Sequence, residues 1–295
     1  MTVADFSSVR QASIPPGRHA WLDVFRRDRL FQLGAGLVAI VVLAAVLAPW
    51  IAPHDPLVGD LKDAYLTPPG TRFLLGTDSQ GRDVLSRVLY GARISLAVGL
   101  ISQAVSVTLG VTLGLLSGYY GRWVDALVMR LADVTLAFPT LLLLIAVAAA
   151  VQPSLPVVFL IIGVVGWAGM ARLVRGQVLT LRSAEYVTAA KALGARDRTI
   201  LWRHLLPNVR AQVIVASTLG MAGAIMAEAA LSFIGLGAQP PTPSWGAMVA
   251  EGRDLLRAAP WVSFAPGIAI GVAVLGFNLL GDALREAWDP RLRNR

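Results

Sequence analysis

The sequence predicts an all-α polytopic membrane protein with six transmembrane helices. Three observations carry that reading. Of 295 residues, 56% are hydrophobic and 15% charged, with a mean hydropathy of +0.64, whereas an average soluble domain is about a quarter charged. The apolar residues gather in runs of about 20, enough to cross a bilayer. The basic residues sit in short segments between those runs, where a membrane protein keeps its orienting charges. An ordinary cytosolic enzyme and a disordered chain are excluded.

The elements follow in order. Residues 1–30 are polar, with Arg10, Arg18, Arg26, Arg27 and Arg29. The charge-free run 31–52 is the first span, with Trp50 at an interface. A signal peptide is the rival reading, but its apolar stretch is about 7–15 residues. A polar excursion fills 53–92, and the second span covers 93–117. The third span is placed at 129–150 and the fourth at 157–174. The most basic stretch, 175–208, precedes a fifth span at 209–231. A Gly/Pro-rich excursion leads to the sixth span at 263–282 and a basic tail at 283–295.

Six spans put both termini on one side. Segments 1–30, 118–130, 172–210 and 283–295 hold 19 Lys and Arg residues, against seven in 53–93 and 232–262. The positive-inside rule assigns the first set, with both termini, to the cytoplasm. The net charge of +8 and pI of about 10.7 therefore imply a lipid bilayer. A nucleic-acid binder would collect its charge on one polar face or arm. With no cysteine there is no disulfide, thiolate metal site or cysteine nucleophile. His19, His54 and His204 lie in separate segments, which argues against a metal centre.

Two segments carry motifs. Residues 183–208 read SAEYVTAAKALGARDRTILWRHLLPN. Val187, Ala190 and Leu193, then Ile200, Leu201 and Leu205, suit two short amphipathic helices. Gly194 between them can take the left-handed conformation that ends a helix, and Pro207 is tolerated in the first turn of the next. The small Ala189 and Ala190 let another surface approach the backbone. A solvated connector is the alternative. Residues 76–95 read GTDSQGRDVLSRVLYGARIS. There Asp78 is expected to cap a helix start. Val84, Leu85, Val88 and Leu89 form an apolar face with Arg82, Asp83 and Arg87 off it, as in a helix lying on the membrane before the second span.

The first segment resembles the EAA loop of ABC importer permeases. Thr188-Ala189-Ala190, three residues, Gly194, nine residues, then His204-Leu205-Leu206-Pro207 keep its spacing. Thr188 and His204 replace that motif's Glu and Ile, as in the dipeptide/oligopeptide subfamily. GTDSQGRD, EAALSFIGLG at 228–237 and NLLGDALREAWDPR at 278–291 resemble its C-type subunit. The resemblance implies a type I ABC importer permease domain over 93–282 with cytoplasmic coupling helices. It implies a bacterial inner-membrane subunit that imports di- or oligopeptides by alternating access. Implied partners are a B-type permease in a heterodimer, ABC ATPase subunits and an extracytoplasmic peptide-binding protein. Glu185, Thr188, Ala189, Ala190, Gly194, His204, Leu206 and Pro207 would then couple to the ATPases. Gly76, Thr77, Asp78, Gly81, Arg82 and Asp83 form the extracytoplasmic motif.

No GxxxxGK[ST] loop exists, because Asp63 follows Lys62 and Ala192 follows Lys191. ATP and Mg²⁺ are therefore expected on partner chains, with no cofactor and no catalytic residue here. Three acids fall in the spans, namely Asp133, Glu228 and Asp282. Each is either a pathway group for a peptide's charged ends or a helix–helix hydrogen-bonding group. The rival function is an ion- or proton-coupled secondary transporter, which predicts paired broken helices and an inverted repeat. Within the importer reading, a nickel chelate, glutathione or haem is the alternative cargo.

Overall fold

The computed structural model describes residues 28–152 and 154–288. The arginines at 10, 18, 26 and 27, His19 and the tail from 289 onward lie outside them. Helix α1 (Arg29–Ile51) starts where the Asp28 carboxylate accepts from the Leu30 and Phe31 amides at 2.8 and 3.3 Å, satisfying donors that a helix start leaves free. Its buried residues Gly34, Val41, Ala45 and Ala48 form one stripe, while Leu33, Ile40 and Leu43 stand exposed.

Helix α2 (Val84–Tyr120) corrects two expectations. The membrane-surface helix and the second span are one 37-residue helix, because nothing between 84 and 93 breaks it. Its cap is Asp83, not Asp78: the Asp83 carboxylate accepts from the Ser86 amide at 2.9 Å. Gly81, at φ +71°, reverses the chain between the two acids. Asp78 instead closes that turn, accepting from the Gln80 and Arg82 amides at 2.8 and 3.0 Å.

The expected third span at 129–150 is bent. Helices α3 (Arg122–Ala137) and α4 (Thr140–Ala149) meet at 90°. Pro139 lacks an N–H and disfavours a helical residue before it, so Phe138 is extended. Helix α5 (Leu155–Leu181) lies along α2. A Cβ on Gly110, Gly114 or Gly118 of α2 would stand 2.5–2.7 Å from Met170, Ala171 or Val178 of α5. Small residues four apart let two backbones approach in lipid.

Helix α6 (Glu185–Ala192) is the first expected loop helix. The second is not separate. It forms the opening turns of α7 (Asp197–Phe233), with a π-helical stretch at Ile200–Leu205. The Leu206 amide donates to the Leu201 carbonyl there. The wider turn brings Pro207 into the first turn of the α-helical part, where its missing N–H leaves no gap. Helix α8 (Trp245–Gly252) and helix α9 (Trp261–Trp288) are the last α-helices among the described residues. Among the described residues, five helices are long and apolar enough to cross a membrane, and the bent α3–α4 pair passes the same length and composition criteria when taken together.

Candidate functional site

The 183–208 loop is built on one buried side chain. Val187 is 0% exposed and packs with Val178 of α5 and with Ile200, Leu205 and Val209 of α7. That contact holds α6 against the bundle and turns Glu185, Thr188 and Ala189 outward, with Ala190 half-buried. The helix ends as expected, with Gly194 at φ +78°. The Ala195 amide donates to the Ala190 carbonyl at 3.0 Å and the Gly194 amide to the Lys191 carbonyl at 2.9 Å. This paired closure is the Schellman arrangement.

Leu193 departs from the expected packing face. It is 88% exposed at the tip of the loop, because the helix stops at Ala192 and the turn at Gly194 swings the next residue outward. His204 is half-buried with its ring 6.3 Å from that of Tyr186. Leu206 is half-buried and Pro207 exposed. The loop therefore presents exposed small side chains and one free leucine on a frame fixed from behind.

Residues that the sequence did not single out brace this frame. The Tyr119 hydroxyl donates to Asp197 at 2.6 Å, and the Lys191 ammonium lies 4.9 Å from the Tyr119 ring centre. Arg175 of α5 donates through two nitrogens to Asp125 of α3, each at 2.6 Å, a bidentate geometry that fixes direction as well as distance. Arg182 donates to the Gly118 carbonyl at 3.1 Å. Partners so far apart in the chain leave no local spacing signal.

The three membrane acids do not converge. Asp133 accepts from Arg172 of α5 at 2.6 Å, with 57% of its side chain exposed. Asp282 lies on the exposed face of α9. Glu228 is fully buried. It accepts from Ser232 at 2.6 Å and from Ser95 of α2 at 3.4 Å. Ser232 also accepts from the Ala238 amide at 3.1 Å, so Glu228 ties α7 to α2 and to the turn that follows.

At the other end of the bundle, GTDSQGRD folds inward. Thr77 Oγ accepts from the Thr67 amide at 2.7 Å and donates to the Ala64 carbonyl. Gly76 and Gly81 lie against Trp261 and Asp60. Arg82, Asp83 and Arg87 were expected off the buried face, yet all are buried. Arg82 pairs with Asp78 at 2.7 Å, and Arg82 and Arg87 reach Glu251 of α8 at 3.1 and 2.9 Å. These four charges join the start of α2 to α8 across more than 160 residues of sequence. Amphipathic patterning cannot reveal a polar face whose partner acid arrives from so far away.

The loop and spans now have a fold to compare. Residues 110–294 match the family model described as "Binding-protein-dependent transport system inner membrane component". Residues 16–69 match the N-terminal TM domain of oligopeptide transport permease C. The chain is 40% identical over 282 residues to the dipeptide transport system permease protein DppC of Alkalihalophilus pseudofirmus, covering 96% of this chain and 92% of that one. It is 41% identical over 294 residues to the glutathione transport system permease protein GsiD of Pectobacterium atrosepticum, covering 99% and 97%. A solved structure of the MetNI methionine ABC transporter in inward-facing form shares the fold, with TM-score 0.52 and 19% identity over 69% of this chain and 97% of that one. The chain thus belongs to the binding-protein-dependent transport system inner membrane components, as a multi-pass, non-catalytic permease subunit of an ABC importer.

Proposed function

We propose that this chain is the C-type half of a heterodimeric permease that imports di- and oligopeptides across the bacterial inner membrane by alternating access. Its partners are a B-type permease, ABC ATPase subunits that bind ATP and Mg²⁺, and an extracytoplasmic peptide-binding protein. The observation that carries this reading is the α6–Gly194 loop, clamped by Val187 and exposed at Ala189 and Leu193. A rigid, exposed surface tied to the starts and ends of three long helices can pass ATP-driven motion into the membrane. Glu185, Thr188, Ala190, His204, Leu206 and Pro207 belong to the same coupling unit. The basic-residue count supports a cytoplasmic position for this loop and both termini, and so an extracytoplasmic position for GTDSQGRD and α8.

Peptide cargo is favoured by relatives named for dipeptide transport. Glutathione, cargo of another named relative, is itself a small peptide and is the second reading. The deciding experiment is reconstitution of the full complex in proteoliposomes, with ATP-dependent uptake of labelled peptides and glutathione. A secondary transporter would instead move cargo with this chain alone under an ion gradient. Such uptake without ATPase subunits would sink the importer role.

A further inference from the structure

Two open cavities adjoin along the helices, away from the coupling loop and the charged cluster. One, of about 480 Å³, lies between α2, α4, α5 and α7. The other, of about 510 Å³, lies between α5, α7 and α9. Leu173, Ala216 and Leu219 line both, so the two form one groove. Gln212, Ala216, Leu219, Gly223 and Ala227 mark it along a single face of α7. At 1.5 Å per residue that face runs about 22 Å, most of the roughly 30 Å hydrocarbon thickness.

Ser102 in this groove donates to the Phe159 carbonyl at 2.9 Å, but three other polar side chains there have unmet atoms among the described residues. Gln103 and Ser106 of α2 line it one turn apart. Ser106 is 5% exposed, and neither side chain hydrogen-bonds to any described residue. Gln212 Oε1 is buried without a donor. In a hydrocarbon setting such groups are costly to leave unmet, so lipid tails are a poor occupant. Charge is scarce: among the described residues only Arg285, at the α9 end, contributes a charged side chain to either cavity, and Asp133, Glu228 and Asp282 line neither. Gly220 gives the Gln103 carboxamide its room, since a Cβ there would stand 2.7 Å from Gln103 Cδ.

We infer that this groove is the chain's share of the cargo path and that Gln103, Ser106 and Gln212 hydrogen-bond the main chain of a passing peptide. This rests on the peptide-import reading. A carboxamide both donates and accepts, which matches the alternating N–H and C=O of an extended peptide. An uncharged lining with glycine and alanine at its narrow points reads neither the sign nor the size of cargo side chains. It also assigns no role in holding the peptide's charged ends to the membrane acids.

The test uses the full complex in proteoliposomes, with trialanine and trialanine N-methylated at its central peptide bond. Binding-protein affinity for each is measured separately, so that capture is factored out of uptake. For the wild type, the methylated peptide is expected to move more slowly after that correction. Gln103→Leu and Gln212→Leu are each expected to lower trialanine uptake about fivefold, the effect of one lost hydrogen bond, and to narrow the gap between the peptides. If a leucine variant fails to co-purify with its partners, Gly220→Ala decides, because it displaces the Gln103 amide without removing it and should give the same narrowing. Equal loss for both peptides, or no wild-type gap, overturns the inference while leaving peptide import standing. A wild-type complex that moves neither peptide overturns the peptide reading and the inference together.

Discussion

The Tyr119 hydroxyl, at the end of α2, donates a 2.6 Å hydrogen bond to Asp197, the first residue of α7. The two residues flank the coupling loop in space although 78 positions separate them in sequence. Lys191 of α6 lies over the same tyrosine ring, so one side chain touches both helices that leave the loop. Tyr119→Phe keeps the ring and removes the hydrogen bond. We expect normal insertion and assembly, with substrate-stimulated ATP hydrolysis reduced about two- to fivefold, the scale of a single solvent-screened surface contact. Unchanged stimulation would show that the bond is incidental to coupling.

Gly194 tests backbone conformation without a clash, because no atom lies within 4 Å of a Cβ built there. Within this chain, the effect of substitution therefore reports its φ of +78°. Gly194→Asn should be nearly silent, since asparagine tolerates the left-handed region. Gly194→Val should strain the turn by about 1–2 kcal/mol and weaken co-purification of the ATPase subunits. Equal behaviour of the two variants would remove the turn from the coupling mechanism.

Val187→Ala removes two methyl groups from a fully buried site. It should destabilise the packing of α6 by about 1–3 kcal/mol, seen as faster proteolysis at Arg196 or Arg198 in detergent. Leu193→Ser, at the exposed tip, should leave proteolysis unchanged and lower ATPase co-purification. The pair separates holding the loop from presenting it. Swapped phenotypes would reverse those roles.

The Arg82–Arg87–Glu251 cluster predicts a non-additive mutant cycle. Glu251→Gln removes the acid that both guanidiniums reach. Both guanidiniums are buried while the Glu251 side chain is 33% exposed, so the loss should stay below the roughly 3–5 kcal/mol of a fully buried broken pair and still lower the thermal stability of the purified complex. Arg87→Met alone should also destabilise. Arg87→Met combined with Glu251→Gln should recover part of the loss, because it removes the buried guanidinium that Glu251→Gln leaves with Asp78 alone, 3.5 Å away. Additive losses would mean the residues act independently.

Glu228→Gln preserves shape and most of the serine contacts of the buried carboxylate. Assembly and uptake should stay near wild type between about pH 6 and about pH 8. Glu228→Leu should lower assembly, since Ser95 and Ser232 lose their acceptor. A pH-dependent loss in the glutamine variant would instead assign the acid a charged role in transport.

Local chemistry along the chain determined much of this protein. Apolar runs of bilayer length required helices, since lipid offers the backbone no other hydrogen-bond partner. The small-residue helix before Gly194 was legible as a helix ending in a left-handed turn, because only the residues on either side decide that geometry. Other features depended on atoms far off in sequence. Asp83 rather than Asp78 caps α2 because the fold of the whole 76–87 segment orients one carboxylate toward the helix and the other toward Arg82. The buried Arg87 is paired with Asp78 nearby and with Glu251, which α8 delivers from beyond the fifth span. Leu193 fits a helical apolar face by spacing, yet it is exposed because the helix stops one residue earlier. Periodicity reports which side chains share a face. Which faces meet, and which charges find a partner inside, is decided only when helices distant in sequence pack together.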